Sequence, residues 1–207
     1  MSTVSAGLRE RKKTERFRVL AAVARELTLE RGLETVTVEA IAEAADVSVR
    51  TFFHYFSCKE EAIIGVEPSA LGQLGDALIG RPASENSIQA LVAVLVPDDD
   101  EVEDLAGRWL LRAELVRRYP SLVPVHLAGR AKVEQVLIEA LAERLGTDTP
   151  GDPYPTVVVT AAVAVFRSTL AWWHGNDQPR PLADALRENL GALATGMSTP
   201  PAGRRTP

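Results

Sequence analysis

The cationic side chains of the first 60 residues are concentrated in one short run. Residues 9–18 carry six of them against two carboxylates: Arg9, Arg11, Lys12, Lys13, Arg16 and Arg18. The whole chain is acidic, with 23 Lys and Arg against 28 Asp and Glu, whereas residues 1–60 carry 10 against 9. A local positive charge on an acidic molecule suits a polyanion contact at one end. A solvated helix face is the alternative, because short charge runs are common.

The residue types that perform catalysis are present, but their spacing matches no catalytic pattern. His54, His126 and His174 are far apart, and none lies in an HExxH or other metal-ligand spacing. The sequence contains no GxSxG motif and no glycine-rich phosphate loop. One cysteine, Cys58, is too few for a disulfide framework or a multi-thiolate metal site. We therefore expect no enzyme, no metal site and no cofactor.

Length and composition are typical of a globular protein. The chain has 207 residues, 46% hydrophobic and 25% charged, which excludes collagen-like, low-complexity and wholly disordered chains. The polar start MSTVSAGLRERKK lacks an apolar segment behind its basic residues, so we do not expect secretion. The most apolar stretch, residues 156–173, is interrupted by Arg167 and several hydroxyls. We expect it to be too short and too polar for a membrane span, and the protein to be cytoplasmic.

Apolar spacing predicts three helices in the N-terminal region. From residue 9 to residue 31 the apolar side chains form one helical stripe, and Gly32 supplies a left-handed end. Thr37 and Ser48 are natural N-caps for two short helices. The predicted helices cover residues 9–31, 38 to 44 or 45, and 49–56. Helix, tight turn and short helix is the helix-turn-helix plan.

The rest of the chain is also predicted to be helical. A fourth helix opens at residues 57–61, and we expect Pro68 and several glycines to kink it. The apolar stretch 156–174 begins with β-branched residues, which suggest a strand, but its length favours a buried helix. The further predicted helices cover residues 87–96, 102–116, 133–145, 156–174 and 182–197. The sequence thus predicts about nine helices and a disordered tail.

In the helix-turn-helix segment, the apolar pattern separates buried from exposed positions. The side chains expected to face inward are Ile41, Ala42, Ala45, Val47, Phe52 and Phe56. The side chains left outside are unusually polar and aromatic for a surface: Val49, Arg50, Thr51, Phe53, His54 and Tyr55.

Residues 37–59, and TFFHYFSCKEE above all, resemble the N-terminal domain of the TetR/AcrR transcriptional regulators. In that family an aromatic-rich recognition helix ends in YF-x-x-K-E, and the resemblance extends over residues 8–63. The remaining two-thirds is similar only in architecture, and GLRERKKTE, VSVRTFFHYFSCKEEAI and RAELVRRYPSL resemble a subgroup with an acyl-CoA-like ligand-binding domain. The resemblance implies an all-α chain with a helix-turn-helix domain (1–60), a helical ligand-binding and dimerisation domain (61–199) and a tail (200–207).

The resemblance also implies that the third helix enters the major groove. Val49, Arg50 and Thr51 then match positions that contact base edges. The Arg50 guanidinium suits guanine O6 and N7, with a phosphate contact as the alternative. Phe53 would touch a thymine methyl or pack under the N-terminal arm.

Other positions match contacts to the DNA backbone in the family. His54, Tyr55 and Lys59 would meet phosphates. Thr37 would offer its hydroxyl and the N–H groups of its helix, which is compatible with a role as a cap alone. Further cations, Arg11, Lys12, Lys13 and Arg16, would add charge, and the leading arm would reach a minor groove.

Large apolar and isolated polar side chains of the second domain are candidates for an effector pocket. They are Trp109, Arg112, His126, Phe166, Arg167, Leu170 and Trp173. For the aromatic residues, plain core packing is the alternative. Arg167 lies in an apolar run, where a charge needs a partner or an anionic ligand. A salt bridge to Glu114 or a place at a dimer edge is its alternative role. The subgroup resemblance implies a tunnel for an acyl chain.

The resemblance implies a ligand-responsive transcriptional repressor that binds double-stranded DNA. We expect a homodimer, whose last two helices pair with their copies and whose two recognition helices read a palindromic operator. A hydrophobic or acyl-CoA-like effector would favour a dimer with wrongly spaced recognition helices. A DNA-binding activator, or a regulator without a small ligand, is the alternative. An acidic body argues against an anionic membrane as partner.

Overall fold

Helices account for every regular element that the structure describes. The structure is a computed structural model that describes residues 3–96, 99–147, 151–176 and 180–196. Its helices are α1 (Thr3–Arg31), α2 (Val38–Ala44), α3 (Val49–Tyr55), α4 (Lys59–Ile64), α5 (Pro68–Ile79), α6 (Ser87–Leu95), α7 (Asp99–Arg118), α8 (Val123–Leu145), α9 (Tyr154–Gly175) and α10 (Leu182–Ala194), with a 3-10 turn at Pro120–Leu122. The predicted all-α fold is confirmed. Residues 200–207, predicted as the tail, lie outside the described residues.

α2 and α3 begin where local signals predict, whereas α1 ends where predicted but begins at Thr3 and not at residue 9. Gly32 follows α1 with a φ of +84°, the left-handed conformation that commonly ends a helix. The Thr37 hydroxyl accepts a backbone N–H of α2 at 3.2 Å, and the Ser48 hydroxyl accepts a backbone N–H of α3 at 3.1 Å. In the turn between α2 and α3, Asp46 has a φ of 51°, which short polar residues tolerate better than most. The caps and the left-handed residues therefore set where the helices of the helix-turn-helix begin and end.

The fourth predicted helix is two helices, so the expectation of one kinked helix was wrong. α4 ends at Ile64, Gly65 follows with a φ of +62°, and α5 begins at Pro68. A left-handed glycine ends a helix and a proline in the first turn begins one, so together they cause a complete break. A Cβ added at Gly65 would lie 2.5 Å from the Arg25 Nη1 atom, which shows how closely α1 approaches this junction.

Residues from two parts of the chain form the first compact unit. The described residues up to Ala70 pack with Leu115–Arg130, which covers the end of α7, the 3-10 turn and the start of α8. Leu20, Ile63 and Leu122 are fully buried here. A Cβ added at Gly129 would lie 2.8 Å from a methyl carbon of Val66, so the start of α8 lies directly against the α4–α5 connection.

Polar contacts also join α1 to the start of α5 within this unit. The Arg18 Nε atom donates to the Glu67 carboxylate at 2.9 Å, and the hydroxyls of Thr14 and Ser69 are 2.9 Å apart. Ser69 also donates to Glu67. These contacts hold the first residues of α5 against the long N-terminal helix.

The second unit is formed by Leu71–Glu114 and the described residues from Ala131 onward. α9 packs against α10, and α6 packs against both. The Arg144 guanidinium donates to the backbone oxygens of Pro82 and Glu85 at 2.6 and 2.9 Å, which closes the α5–α6 connection. Arg81 forms an ion pair with Glu85, and its hydrogen bond lowers the pKa of the Glu85 carboxyl.

Helix α9 is longer than the sequence predicts. It begins at Tyr154 and spans 22 residues, so by length and composition alone it could cross a membrane, contrary to the expectation that this stretch is too short and too polar. Its Val159, Phe166 and Leu170 side chains are buried in the core of the second unit. The apolar side chains on that face of α9 therefore pack against other residues of the second unit.

Candidate nucleic-acid interface

Helix α3 divides its side chains between the core and the surface. Phe52 is fully buried, and Phe56, which follows the helix, lies with its ring centroid 4.5 Å from that of Phe17 on α1. These rings fix the orientation of α3 relative to α1. On the outer side, Arg50 and His54 are exposed and the Phe53 side chain is 54% exposed. Val49, Thr51 and Tyr55 are half-buried. The six positions expected on the outside therefore range from half-buried to exposed.

Hydroxyl groups lie at the start of both short helices. Thr37 is exposed, and because its oxygen accepts the capping hydrogen bond, its O–H remains a donor. The Ser48 and Thr51 hydroxyl oxygens are 2.8 Å apart. Ser48 therefore orients the Thr51 side chain, a role beyond the capping that the sequence predicts. The S-x-x-T spacing at a helix start is the signal that could have revealed it.

A concave surface lies between α1 and α3. It has a volume of ≈ 400 Å³, and its lining side chains are Lys12, Lys13, Arg16, Thr51, His54 and Tyr55. We call it the α1–α3 cleft. Three cations line it from α1, while hydroxyl, imidazole and phenol groups line it from α3. The His54 and Tyr55 rings meet edge to face, with centroids 5.2 Å apart. The structure thus joins two of the predicted phosphate-binding groups with the basic run of α1.

Lys59 has partners that the sequence does not reveal. Its Nζ atom donates to the backbone oxygens of Leu33 and Val36, both at 2.7 Å. Two of the three ammonium N–H groups therefore hold the loop between α1 and α2. A contact with a DNA phosphate remains a prediction for Lys59, and it would use the third N–H. Arg11 lies on α1, and its side chain lies outside the described residues.

The candidates for the effector pocket are divided between the two units. His126 lies on α8 in the first unit, whereas the other six lie in the second. Phe166, Leu170 and Trp173 belong to the buried core of the second unit, and Trp109 is half-buried against that core. For the three aromatic residues the structure shows the packing role that was the alternative expectation, and Leu170 packs in the same core. An additional ligand contact stays a prediction.

The candidates of the second unit carry their polar groups on α7 and α9. Arg112 and Arg167 are half-buried on α7 and α9. The Trp173 indole N–H donates to the backbone oxygen of Arg180 at 2.7 Å. Its polar edge therefore ties the end of α9 to the segment before α10. A role of Trp173 in ligand binding would have to use the face of the ring.

Titratable side chains in the described ranges form no metal site. No group of three or more His, Cys, Asp and Glu side chains there could hold a metal ion. Cys58 is half-buried at the N-cap of α4, and its thiol makes no capping hydrogen bond. The functional groups assembled around α3 are hydrogen-bond donors and cations, which suit base edges and phosphates.

Two family models match separate parts of the chain. Residues 20–63 match the model described as bacterial regulatory proteins of the tetR family. Residues 85–198 match the model of the MftR C-terminal domain. The first match contains α2, α3 and all but the last residue of α4, and the second begins just before α6.

Individual proteins are similar over most of the chain. The transcriptional regulator TcmR of Streptomyces glaucescens is 36% identical over 81% of this chain and 77% of its own length. MftR of Mycobacterium tuberculosis, provisionally named a mycofactocin biosynthesis transcriptional regulator, is 27% identical over 84% of this chain and 87% of its own length.

Solved structures share the fold. FadR of Thermus thermophilus, a TetR-family repressor crystallised with lauroyl-CoA, has a TM-score of 0.56 at 21% identity and covers 92% of this chain and 100% of its own. SmeT in complex with triclosan has a TM-score of 0.57 at 16% identity and covers 93% of this chain and 98% of its own. Together with the family models and the identity to TcmR, the helix-turn-helix leads to one conclusion: the chain belongs to the TetR family of bacterial transcriptional regulators.

Proposed function

We propose that the protein is a ligand-responsive repressor that binds a palindromic DNA operator as a homodimer in the cytoplasm. The observation that carries the proposal is helix α3, which is anchored by Phe52 and presents Arg50, Phe53 and His54 to solvent. In this proposal residues 1–60 bind DNA, and residues 61–199 bind the effector and the second protomer.

The first part of α3 is proposed to read the bases. Arg50 is exposed, and its guanidinium has the geometry to grip guanine O6 and N7. Val49 and Thr51 flank it, and the hydrogen bond between Ser48 and Thr51 limits the rotation of the Thr51 hydroxyl. Phe53 offers an apolar surface that suits a thymine methyl group.

Contacts to the phosphates are proposed to come from three elements. α3 contributes His54 and Tyr55, and the start of α2 contributes Thr37. Cations of α1 add charge that attracts DNA of any sequence: Arg11, Lys12, Lys13 and Arg16. Such contacts fix the register of a protein on DNA, and they make affinity depend on salt.

Dimerisation is proposed to use α9 and α10, which pack side by side. The outward face of α9 is populated by small or apolar side chains: Val157, Ala164, Ser168 and Ala171 are all exposed, Val157 to 62%. Small side chains allow a second helix pair to approach closely. A twofold dimer would place two α3 helices for successive major grooves, as a palindrome requires.

The effector is proposed to be a hydrophobic or acyl-CoA-like molecule that binds the second unit. FadR of Thermus thermophilus was crystallised with lauroyl-CoA and SmeT with triclosan, and both share this fold. The second unit supplies apolar surfaces around Trp109 and Phe166 and half-buried cations at Arg112 and Arg167. The effector releases DNA if it binds more tightly to the dimer state that fits DNA less well.

The proposal is tested by selecting genomic DNA fragments with the purified protein near physiological salt. We expect enrichment of one palindromic sequence. The molar mass of the complex, measured by light scattering, should correspond to one protein dimer on the operator. Lauroyl-CoA should then release a labelled operator, and coenzyme A without an acyl chain is the matched control. Enrichment of no sequence by protein freed of ligand would contradict DNA recognition, and equal release by both compounds would contradict an acyl-specific effector.

A further inference from the structure

We propose that a polar clasp in the first unit positions the N-terminal turns of α1 for DNA without touching DNA itself. Its members are Thr14 and Arg18 on α1, Glu67 in the α4–α5 connection and Ser69 on α5. The inference rests on the proposed function, because these turns of α1 carry cations that are assigned there to DNA. The clasp acts on those cations only through the orientation of the helix, so its members are positioning residues.

The clasp converges on the carboxylate of Glu67. The Arg18 Nε atom donates to it at 2.9 Å, and the Ser69 hydroxyl donates to it as well. Because the single proton of Ser69 is used in this way, the Thr14 hydroxyl must donate to the Ser69 oxygen, 2.9 Å away. The Glu67 side chain is only 12% exposed, and a carboxylate removed from water needs such donors. One buried carboxylate therefore organises all three contacts.

The spacing of the contacts fixes the direction of α1 as well as its position. Thr14 and Arg18 are four residues apart, so they lie on one face of the helix, about 6 Å apart along its axis. Arg18 meets Glu67, and Thr14 meets Ser69 two residues further along the chain. A single contact would leave α1 free to tilt about it, whereas two contacts one turn apart resist tilting.

The apolar core does not hold this part of α1. Phe17 is the first residue of the helix whose described side chain is buried. Among the side chains described before it, residues 12–16, Thr14 alone is not exposed. The helix continues to Thr3, so about 16 Å of its length lies beyond Thr14. The contact between Thr14 and Ser69 is thus the outermost anchor in the described part of α1, and a small tilt there displaces the neighbouring cations.

The sign of one charge effect distinguishes the clasp from net electrostatics. Glu67 lies beside the basic run of α1, so removing its negative charge would strengthen DNA binding if only net charge mattered. On the clasp proposal the same change weakens binding, because Arg18 and Ser69 lose their shared acceptor and α1 loses its orientation. The two explanations therefore predict opposite changes in affinity.

The test compares four variants on an operator selected from genomic DNA. Glu67→Met keeps much of the side-chain length but removes the charge and both acceptor oxygens. Ser69→Ala changes no charge, and Arg18→Gln removes a cation. Glu15→Met, which removes a carboxylate from an exposed position in the same basic run, is the matched control. Affinity is measured at several salt concentrations, together with the melting temperature of each variant.

We expect Glu67→Met to weaken operator binding about tenfold, as for charge-assisted hydrogen bonds, and Ser69→Ala about threefold, as for a neutral one. The loss in the double variant should be clearly less than the product, because both residues belong to one network. The slope of log affinity against log salt should fall in both variants although neither removes a cation, because misplaced cations release fewer counterions from DNA. Glu15→Met should bind at least as tightly as the wild type.

Three results would overturn the clasp. Binding by Glu67→Met as tight as that of the wild type, or tighter, would leave net charge as the explanation. Lower melting temperatures with unchanged affinity and salt dependence would restrict the four residues to stability. A slope reduced by about 0.9 in Arg18→Gln, with Ser69→Ala like the wild type, would make Arg18 a phosphate contact. If Glu67→Met does not fold, the salt dependence of Ser69→Ala decides by itself.

Failure of the proposed function has a different signature. A wild type without salt-dependent DNA binding would overturn that function before any variant is compared. The clasp is contradicted only when the wild type binds the operator and the variants keep its affinity and salt dependence, or when Arg18 alone alters them.

Discussion

At the scale of single residues, sequence readout is expected to depend on Arg50. Its side chain is exposed on α3 and carries the donor geometry that recognises guanine. We expect Arg50→Ala to weaken operator binding by about 1–3 kcal/mol and to relax the preference at one position in each half-site. Binding of an operator library with every single base change measures both effects. A uniform loss across all sequences would instead show that Arg50 contacts a phosphate.

Lys59 has a structural role in addition to its predicted contact with DNA. Its ammonium holds the Leu33 and Val36 carbonyls at 2.7 Å. We expect Lys59→Met to lower the free energy of unfolding by about 1.5–3 kcal/mol, because charged donors to the backbone are lost. The phosphate contact predicted for the third N–H adds a second effect, a fall of about 0.9 in the slope of log affinity against log salt. Thermal unfolding and affinity measured across salt concentrations test the two parts.

The two predicted effects of Lys59→Met can fail separately. Stability equal to that of the wild type would contradict the structural role of Lys59, and an unchanged salt dependence would contradict its phosphate contact. Lys12→Met is the matched control, since Lys12 is exposed and lines the α1–α3 cleft. It should change the salt dependence and leave the melting temperature as in the wild type.

At the scale of elements, the close approach of α8 to the α4–α5 connection decides which substitutions the helix tolerates. Gly129 lies inside α8, and a Cβ there would meet Val66 at 2.8 Å. Overpacking costs about 1–3 kcal/mol, and the better helix propensity of alanine recovers up to about 1 kcal/mol. We expect Gly129→Ala to lower stability by about 1 kcal/mol, measured by urea unfolding.

Gly107 provides the control within another long helix. No atom lies within 4 Å of a Cβ added at Gly107, so Gly107→Ala gains helix propensity without a clash. It should stabilise the protein by up to about 1 kcal/mol. Equal effects of Gly107→Ala and Gly129→Ala would mean that the contact between Gly129 and Val66 imposes no constraint.

At the scale of the whole molecule, the proposed repression and the proposed effector binding would be coupled through free energy. Arg167 is half-buried on the apolar helix α9, where an anionic part of an effector would find a cation. We expect Arg167→Leu to raise the concentration of lauroyl-CoA needed for release, with affinity for DNA unchanged in the absence of effector. The exposed Arg108, replaced in the same way, should respond like the wild type. An unchanged response of Arg167→Leu would indicate that Arg167 has a structural role and does not contact the effector.

Much of the DNA-binding region was determined by the sequence alone. The end of α1 at Gly32, the caps at Thr37 and Ser48, and the burial of Phe52 and Phe56 were all predicted and are all observed. These features depend on residues within a few positions of each other. Capping, helix periodicity and left-handed glycine are local effects, so a pattern of residue types is enough to specify them.

Other features were decided only by the tertiary structure. Lys59 binds backbone oxygens of a loop more than 20 residues away in the chain, and Leu115–Arg130 packs into the first unit. The Trp173 N–H is satisfied by the Arg180 carbonyl, and the cleft joins residues of α1 and α3. A long polar side chain has many partners within reach, and the sequence shows what it can donate but not which acceptor the fold brings to it.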